Sequence, residues 1–218
     1  MPRYIRALSF KSLTPIYDAA IQWTLPEQSL KRRLLERADI QPGQRVLDLG
    51  CGTGTLTLML KRAAPQSLVT GLDGDDEVLA IAASKAGREG LQISWDHALA
   101  YDLPYPEASF DVVLSSLVTH HLASPEKLRA FMEVHRILRP GGMFHILDFG
   151  RPFSLITRLQ AAVMQNLEES RDNFNGQILP LLVGAGFRKA SEDEKQQTIF
   201  GPIWFYQARK SRDSGRDH

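Results

Sequence analysis

The sequence predicts an α/β protein built on a doubly wound, mainly parallel sheet. Short apolar segments typical of buried strands alternate with segments of helical length and periodicity, and this alternation is typical of βαβ units. The first apolar segment, Arg45–Leu49, runs into a glycine-rich turn that opens a helix. A chain of 218 residues with 43% hydrophobic residues is long enough to bury one sizeable core.

Three strands and two helices are predicted in the first half of the sheet region. The helices carry apolar residues at a spacing of three and four, and Gly87 and Gly90 end the second one. In order, the elements are the strand Arg45–Leu49, the helix Thr55–Ala63, a strand from Ser67 to Leu72 that ends at Asp73, the helix Glu77–Gly87 and a strand from Leu91 to Trp95.

The second half continues the alternation. Ser124 followed by Pro125 is a helix start, and Pro140-Gly141-Gly142 ends that helix. A charged turn is predicted between the final two strands. The elements are a strand Phe110–Ser115, a helix Pro125–Leu138, a strand Met143–Phe149, helical stretches Phe153–Leu167 and Gln177–Val183, and strands near Phe187–Ala190 and Thr198–Ala208.

The chain reads as one Rossmann-like α/β domain over residues 1–210, because no linker divides it. The segment 1–38 is predicted to be helical through Arg37 and to precede the sheet. Residues 211–218 are polar and charged, with nothing to bury, and are predicted to form a flexible tail.

Composition excludes several classes of protein. The net charge is +1, from 26 basic and 25 acidic residues, so nothing in the charge balance demands a nucleic acid. Cys51 is the single cysteine, which excludes an internal disulfide and a multi-cysteine metal site. No stretch approaches the roughly 20 apolar residues of a spanning helix, and no apolar leader segment follows Met1. We expect a cytoplasmic protein without a membrane span.

The glycine turn and an acidic residue one strand later point to an adenosine-type ligand. Gly50, Gly52 and Gly54 are spaced Gly-x-Gly-x-Gly, whereas a dinucleotide turn requires Gly-x-Gly-x-x-Gly, and Thr55 occupies the position of that last glycine. A carboxylate at the end of the next strand, Asp73, is placed to accept hydrogen bonds from ribose hydroxyls. Taken alone, the glycines could form a merely tight strand-to-helix connection, and Asp73 could be a turn or helix-start aspartate.

Four sequence blocks resemble class I S-adenosylmethionine (SAM)-dependent methyltransferases. They occur in the family order and cover roughly residues 39–149. The blocks are Val46-Leu47-Asp48-Leu49-Gly50-Cys51-Gly52-Thr53-Gly54, Leu72-Asp73-Gly74 with its helix, Leu103-Pro104-Tyr105-Pro106 through Ser109-Phe110-Asp111, and Leu138-Arg139-Pro140-Gly141-Gly142. Gly184-Ala185-Gly186-Phe187 and the end near Gln207-Ala208-Arg209-Lys210 resemble the branch that contains the ubiquinone and menaquinone C-methyltransferases.

The resemblance implies a seven-stranded sheet with the last strand antiparallel and an N-terminal helical lid over residues 1–38. It implies SAM as cofactor and a small-molecule acceptor. The implied cofactor contacts are Tyr17 in the lid, Asp48 at the amino-acid end, Gly50, Cys51, Gly52, Thr53 and Gly54 under the methionine part, Asp73 and Gly74 at the ribose, Leu99 and Ala100 at the adenine, and Ser115 after the fourth strand. For Tyr17, a core tyrosine is the alternative.

One departure from the family pattern affects the adenine end. Family members commonly carry Gly-Asp-Ala before the Leu-Pro segment, and here the corresponding residues are Ala98-Leu99-Ala100. Leu99 cannot accept a hydrogen bond from the adenine amino group, so apolar contacts and the Ala100 amide would replace it. Asp96 is interpreted as a surface aspartate, with a shifted adenine role as the alternative.

His120 and His121 are the candidate catalytic residues. They follow the fourth strand, where the family places the transferable methyl group, and histidine titrates near neutral pH. Neighbouring residues on a helical turn point apart, so at most one should face the site, and a structural histidine is the alternative. No metal site is predicted, because His97, His135 and His145 lack ligand spacing with carboxylates. Cys51 is interpreted as a small packing residue.

The function predicted is methyl transfer from SAM to a small molecule of unknown identity by in-line displacement. The apolar face of Phe153–Leu167 either covers the sheet edge or lines a pocket for an acceptor with an apolar portion. The competing hypotheses are a non-catalytic SAM-binding or partner-binding protein and an NAD-dependent oxidoreductase. Neither the acceptor atom nor the oligomeric state follows from the residues.

Overall fold

The computed structural model describes residues 27–164, 171–199 and 201–212. These residues form one seven-stranded sheet. Its strands are β1 Arg45–Leu49, β2 Leu68–Asp73, β3 Ser94–His97, β4 Phe110–Ser116, β5 Leu138–Phe149, β6 Lys189–Thr198 and β7 Gly201–Arg209.

The helices lie before, between and after the strands. A short 3-10 turn, Thr119–His121, follows β4. The helices are α1 Glu27–Ala38, α2 Thr55–Ala63, α3 Asp76–Arg88, α4 Ser124–Ile137, α5 Leu155–Met164, α6 Arg171–Phe174 and α7 Ile178–Gly184.

The strand order is β3-β2-β1-β4-β5-β7-β6. β1 pairs in parallel with both β2 and β4, so the chain reverses its direction of winding at β1. β7 is antiparallel to β5 on one side and to β6 on the other. This confirms the predicted doubly wound sheet with the last strand antiparallel. Ligands in such sheets bind at the carboxyl ends of the strands beside the switch point, which here lies between β1 and β4.

Two apolar cores cover the two faces of the sheet. The first face carries Leu47, Val113, Phe144 and Tyr206 and packs against α4 and α7. The second face packs against α1, α2 and α5, and Leu30 and Leu34 of α1 are fully buried there. The central parallel strands β1 and β4 are buried on both faces for this reason, and their sequences are largely apolar instead of alternating.

Two predictions about the last strands were wrong in detail. The segment predicted as a charged turn is part of β6, and its charges are paired: Arg37 of α1 donates to Asp193 at 2.6 Å and Arg33 bonds Glu194. Edge strands carry charges because these discourage pairing with other chains. The segment Pro140-Gly141-Gly142 continues β5, since its backbone exchanges hydrogen bonds with Lys210, 3.0 Å in each direction.

β3 begins at Ser94, three residues later than Leu91. The predicted lid contact Tyr17 and the tail residues 213–218 lie outside the described residues. α1 is the described part of the predicted lid segment, and its covering of the cofactor stays a prediction. Within the described ranges, no helix combines the length and the apolar character needed to cross a bilayer.

Candidate cofactor and acceptor site

The glycine turn after β1 is held by backbone hydrogen bonds. The amides of Gly50 and Cys51 both donate to the carbonyl oxygen of Leu72 at the end of β2, at 2.8 and 2.9 Å. Gly50, Gly52 and Gly54 have φ angles of 71°, 52° and 77°, in the left-handed region that residues with a Cβ rarely adopt. The turn therefore has its shape because glycine occupies all three positions.

The three glycines face different surroundings. A Cβ on Gly50 would lie 2.5 Å from a methyl group of Val118, and a Cβ on Gly54 would lie 2.8 Å from the Cβ of Ala82. A Cβ on Gly52 would meet no atom within 4 Å. Gly50 and Gly54 thus admit neighbouring segments of the protein, whereas Gly52 borders open space at the carboxyl ends of the strands. That space is a cradle that fits the predicted cofactor, because a ligand can approach the backbone there.

Asp73 closes over the glycine turn from the end of β2. Its Oδ2 accepts a hydrogen bond from the Gly52 amide at 2.8 Å, and its Oδ1 accepts one from the Asp75 amide at 3.1 Å. Burial raises the pKa of the Asp73 carboxyl, and these amide bonds oppose that effect. A carboxylate has about four lone-pair sites, so two acceptor positions remain for ribose hydroxyls. The structure thus brings Asp73 and the turn together, as the predicted ribose contact requires.

Asp48 lies beneath the turn and is fully buried. Its Oδ2 accepts a hydrogen bond from the Thr57 hydroxyl at 2.6 Å. Burial raises the pKa of Asp48 to about 6, although the Thr57 bond and the charge of Lys31 on α1 lower it. A buried anion of this kind favours a nearby cation, which agrees with its predicted place at the amino-acid end of SAM.

Cys51 and Thr53 are packing and anchoring residues in the turn. Burial raises the pKa of the Cys51 thiol, and the nearby carboxylates of Asp48 and Asp73 raise it further. A thiol held protonated in this way is a poor nucleophile, which favours the interpretation of Cys51 as a small packing residue. The carbonyl and hydroxyl oxygens of Thr53 both accept from the Lys85 ammonium of α3 at 3.0 Å.

Leu99 and Ala100 lie next to the Asp73-Gly74 corner. The Ala98 amide donates to the Asp73 carbonyl oxygen at 3.1 Å, which holds this segment at the end of β2. Asp96 is half-buried, and the Tyr105 hydroxyl donates to it at 2.8 Å. Asp96 is therefore a partly exposed aspartate, as interpreted, whose carboxylate Tyr105 from the following segment holds. The adenine contacts of Leu99 and Ala100 stay predictions.

The segment after β4 turns sharply toward the glycine turn. Leu117 has a φ of 59°, a left-handed conformation that is uncommon outside glycine and costs of order 1–3 kcal/mol. Its amide donates to the Leu147 carbonyl oxygen at 2.8 Å, which fixes the reversal. Val118 can then pack against Gly50. Residues 119–121 follow directly and lie at the ends of β4 and β5.

His120 forms a buried pair with Asp148 of β5. The Nδ1 atom of His120 lies 2.7 Å from Oδ1 of Asp148, and the Thr119 amide and hydroxyl both donate to Oδ2 at 2.7 Å. Burial would raise the pKa of Asp148, but the His120 charge and these hydrogen bonds outweigh it and lower the pKa to about 2. Asp148 therefore stays ionised and fixes the orientation of the His120 ring.

His121 has the opposite environment. Its side chain is exposed, and its ring centre lies 4.0 Å from that of His120. The charge of His120 lowers the pKa of His121, and burial of part of its ring adds to this effect. The two histidines thus differ: His120 is buried and paired with a carboxylate, and His121 is exposed and favours its neutral form.

A chain of polar side chains extends from this pair and was not predicted. The Lys127 ammonium of α4 donates to Oδ1 of Asn173 at 2.7 Å, and the Asn173 amide donates to the Thr119 hydroxyl at 3.2 Å. Lys127, Asn173 and Asp148 are all fully buried. One signal was present in the sequence, because Lys127 shares the buried face of α4 with Phe131 and Val134 at helical spacing.

Three buried hydroxyl groups lie in the strands that follow and flank the cofactor turn. Among the described residues, the side-chain oxygens of Ser115, Ser116 and Tyr206 are buried without a hydrogen-bond partner. Ser115 and Tyr206 both pair with Ile146 of β5, one from each side, so they share the first face of the sheet in one row with Ile146 between them. Unpaired buried hydroxyls are costly, which suits a surface that a ligand covers. No group of three metal-binding side chains occurs in the described ranges.

Comparisons with known proteins agree with this geometry. A family profile described as a methyltransferase domain matches residues 46–142. The chain is 36% identical over 163 residues to a demethylmenaquinone methyltransferase of Thermus thermophilus, covering 69% of this chain and 70% of that protein. It is 29% identical over 220 residues to a 2-phytyl-1,4-naphtoquinone methyltransferase of Synechococcus elongatus, covering 89% of this chain and 93% of that protein.

Among solved structures, the fold is similar to phosphoethanolamine N-methyltransferase 2 of Haemonchus contortus, in complex with phosphomonomethylethanolamine and S-adenosylhomocysteine. The TM-score is 0.74 at 19% identity, covering 93% of this chain and 58% of that chain. At this identity the likeness concerns the fold alone.

Proposed function

The chain belongs to the class I SAM-dependent methyltransferases, in the branch of the ubiquinone and menaquinone C-methyltransferases, and we propose that its acceptor is a ring carbon of a reduced quinone. It is therefore an enzyme that transfers a methyl group from SAM to a small molecule, and the NAD-dependent oxidoreductase hypothesis is wrong. The finer assignment rests on the quinone methyltransferases among its relatives and on the His120–Asp148 pair beside the glycine turn.

The residues of the turn suit the cofactor from end to end. When bound, SAM supplies a methyl group on a positively charged sulfur atom. Gly52 leaves room for its backbone approach, Asp73 has lone pairs for the ribose, and Asp48 provides an anion near the amino-acid end. Gly50, Gly54, Cys51 and Thr53 shape the turn, with Gly74, Leu99, Ala100 and Ser115 at its borders. These roles remain proposals, as does that of Tyr17.

His120 is the proposed proton acceptor. A reduced quinone ring carries hydroxyl groups with a pKa near that of tyrosine, about 10, and its ring carbon becomes strongly nucleophilic when a hydroxyl loses its proton. Asp148 orients the His120 ring and stabilises the imidazolium that forms, as a carboxylate does for a general base. Overall, the acceptor exchanges one ring hydrogen for a methyl group, and one proton is released.

The acceptor pocket is proposed to lie over Ser115 and Tyr206. Their buried hydroxyls could bond the two oxygens of a quinol, which would remove the penalty of leaving them unpaired. On α5, the side chains of Leu155, Ile156 and Leu159 are exposed at 77%, 58% and 72%. α5 packs on the second face of the sheet, but Phe153 just before it contacts Trp204 on the first face, so these exposed residues suit an apolar tail that extends from the pocket around the end of the strands.

The test uses methyl-labelled SAM with chemically matched acceptors. A reduced 1,4-naphthoquinone that lacks the methyl group at carbon 2 and carries an isoprenoid tail should gain one label on that ring carbon, identified by mass spectrometry. The same compound kept oxidised is the control, because its ring is not nucleophilic and should gain no label. Transfer to phosphomonomethylethanolamine but not to the quinol would overturn the proposal and leave the methyltransferase assignment intact.

A further inference from the structure

The helix α5 exposes its large apolar side chains and buries its small ones. Thr157 and Ala161 point inward and are buried. The side chains on the opposite face, which are exposed, are those of Leu155, Ile156 and Leu159. A helix that only covers a sheet turns its largest apolar side chains toward the core. The outer face of α5 is therefore an apolar surface that the described fold leaves uncovered.

Two polar anchors fix α5 in this orientation. The Thr157 hydroxyl accepts hydrogen bonds from the two backbone amides of residues 153–154, at 3.0 and 2.8 Å. The Gln160 side-chain amide donates to the carbonyl oxygens of Thr198 and Ile199, where β6 turns into β7, at 2.9 and 3.0 Å. A rotation of the helix that buried its leucines would break both anchors, so the exposure of these leucines is a property of the fold.

The exposed apolar face continues onto the neighbouring hairpin. Ile199 is exposed beside Gln160, and Ile156 lies one helical turn before Gln160 on the same side of α5. Together, Leu155, Ile156, Leu159 and Ile199 form what we call the α5 patch. A contiguous exposed apolar surface of this kind marks a contact with another protein or with a membrane.

A row of aromatic rings joins the α5 patch to the proposed acceptor pocket. Phe153, two residues before α5, packs edge-on against Trp204, with ring centres 6.3 Å apart. Trp204 stacks in turn with Tyr206, with ring centres 6.4 Å apart. An apolar tail on a quinol that is bonded to Tyr206 can therefore follow this row out of the pocket and reach the patch.

Positive charge borders the α5 patch. Arg158 is the only charged residue in the sequence of α5, and it is exposed. The exposed Lys195 of β6 holds its ammonium 4.9 Å from the ring centre of Phe153. The acidic residues just before Lys195, Asp193 and Glu194, are paired with arginines of α1. The border of the patch thus carries cations that suit an anionic partner.

We propose that the α5 patch lies on an anionic lipid surface, with Leu155 and Leu159 among the acyl chains and Arg158 and Lys195 at the phosphate groups. The choice of lipid rests on the proposed acceptor, because a quinol with an isoprenoid tail dissolves in a bilayer and can enter the pocket from there. Interfacial helices combine an apolar face with basic residues for this purpose. A second copy of the chain would bring the same cationic border against itself, whereas anionic lipid neutralises it.

The test is flotation of the full chain with phospholipid vesicles, without SAM or acceptor. Vesicles of equal parts phosphatidylglycerol and phosphatidylcholine should bind the chain, and vesicles of phosphatidylcholine alone should bind it about 10-fold more weakly. Leu155→Gln and Leu159→Gln preserve the helix but remove apolar surface, and each should weaken binding about 10-fold. Arg158→Gln should weaken binding about 5-fold on the anionic vesicles only.

Ile81→Gln is the matched control. Ile81 is also an exposed apolar residue on a helix, but its helix, α3, packs on β2 and β3 at the opposite edge of the sheet from β6. This variant should bind the anionic vesicles as tightly as the wild type does. If Ile81→Gln and Leu159→Gln weakened binding equally, exposed apolar surface in general would account for it, and the proposal would be wrong.

Either of two further outcomes would also contradict the proposal. The first is a wild-type chain that does not float with the anionic vesicles. The second is a lipid-free dimer, detected by sedimentation equilibrium, that Leu159→Gln converts to a monomer, because the patch would then be covered by a second copy. Vesicle binding is measured without an acceptor, so a wrong quinol assignment would show only in the methyl-labelling experiment, and a wrong lipid assignment only in flotation.

Discussion

The cofactor turn and the acceptor-side cluster are formed by different kinds of chemical group. The turn, residues 48–54 with Asp73, is made of consecutive backbone groups and three left-handed glycines. The cluster of Thr119, His120, Lys127, Asp148 and Asn173 is made of side chains from four separate segments. The turn therefore depends on the absence of Cβ atoms, and the cluster depends on matched charges. Variants should separate the two, one losing cofactor affinity and the other losing turnover.

The largest effect is expected from Asp148→Asn. Both carboxylate oxygens accept two donors, so whichever position the new NH2 group occupies, it faces donor groups of Thr119 or of His120 and Phe149. We expect a loss of about 3–5 kcal/mol in the free energy of unfolding and of about 100- to 10,000-fold in kcat, with SAM affinity nearly unchanged. Denaturant unfolding, kinetics and calorimetry measure the three quantities.

The same variant has a pH signature. The pKa of Asp148 is lowered to about 2 from its usual 3.8, so its contribution to stability is present above pH 4 and is lost as the pH falls toward 2. In Asp148→Asn, this fall in stability between pH 4 and pH 2 should be absent. Asp75→Asn is the control, because Asp75 caps α3 and asparagine caps helices equally well. An Asp148→Asn protein with reduced SAM affinity and normal turnover would contradict the assignment of SAM binding to the turn and of turnover to the cluster.

A second prediction compares two glycines of the turn. Gly50→Ala places a Cβ 2.5 Å from Val118 and should lower the free energy of unfolding by about 3 kcal/mol. Gly52→Ala meets no atom within 4 Å, so it should cost about 1 kcal/mol from its φ of 52° alone and yet weaken SAM binding at least 10-fold. Thermal unfolding and calorimetry test both. An unchanged SAM affinity in Gly52→Ala would mean that the cofactor does not approach the backbone of Gly52.

Asp48→Asn tests the buried anion under the turn. Burial raises the pKa of Asp48 to about 6 from its usual 3.8, so the native state holds this proton more tightly than the unfolded chain does. The stability from protonated Asp48 is present below about pH 4 and is lost as the pH rises through about 6. The variant should lack that decline and be more stable at pH 7 by about 1–3 kcal/mol, while its SAM affinity falls about 10-fold. An unchanged slope of stability against pH would contradict this.

The smallest expected effect is a gain in SAM affinity. Leu99→Asp restores the carboxylate that the family places at the adenine, beside the Asp73-Gly74 corner. If the adenine lies there, SAM affinity should rise about 5-fold, or about 1 kcal/mol, measured by calorimetry. Leu99→Ala, which offers no acceptor, should show no gain. An equal affinity for the wild type and Leu99→Asp would place the adenine away from residue 99.

The cofactor turn was easier to predict from the sequence than the acceptor-side cluster. The turn and its strands were predictable because spacing and periodicity are local: β1 and α2 occupy the predicted residues. Only the start of β6 was predicted, and the rest was taken for a turn, because its pairing with β7 and its salt bridges to α1 involve residues that the local pattern does not contain. The pairing of His120 with Asp148 was missed for that reason too. Lys127 could have been noticed, since a charged residue stands on an apolar helix face.

The position of β7 in the sheet has a consequence for synthesis of the protein. β7 follows every other strand in chain order, yet it is inserted between β5 and β6. During translation, β1 to β5 emerge first and already contain the glycine turn, Asp73 and the His120–Asp148 pair. The edge of β5 stays unpaired until β7 leaves the ribosome, and Trp204 and Tyr206 arrive with it. A nascent chain can thus fold around its cofactor before β7, which carries Tyr206, has joined the sheet.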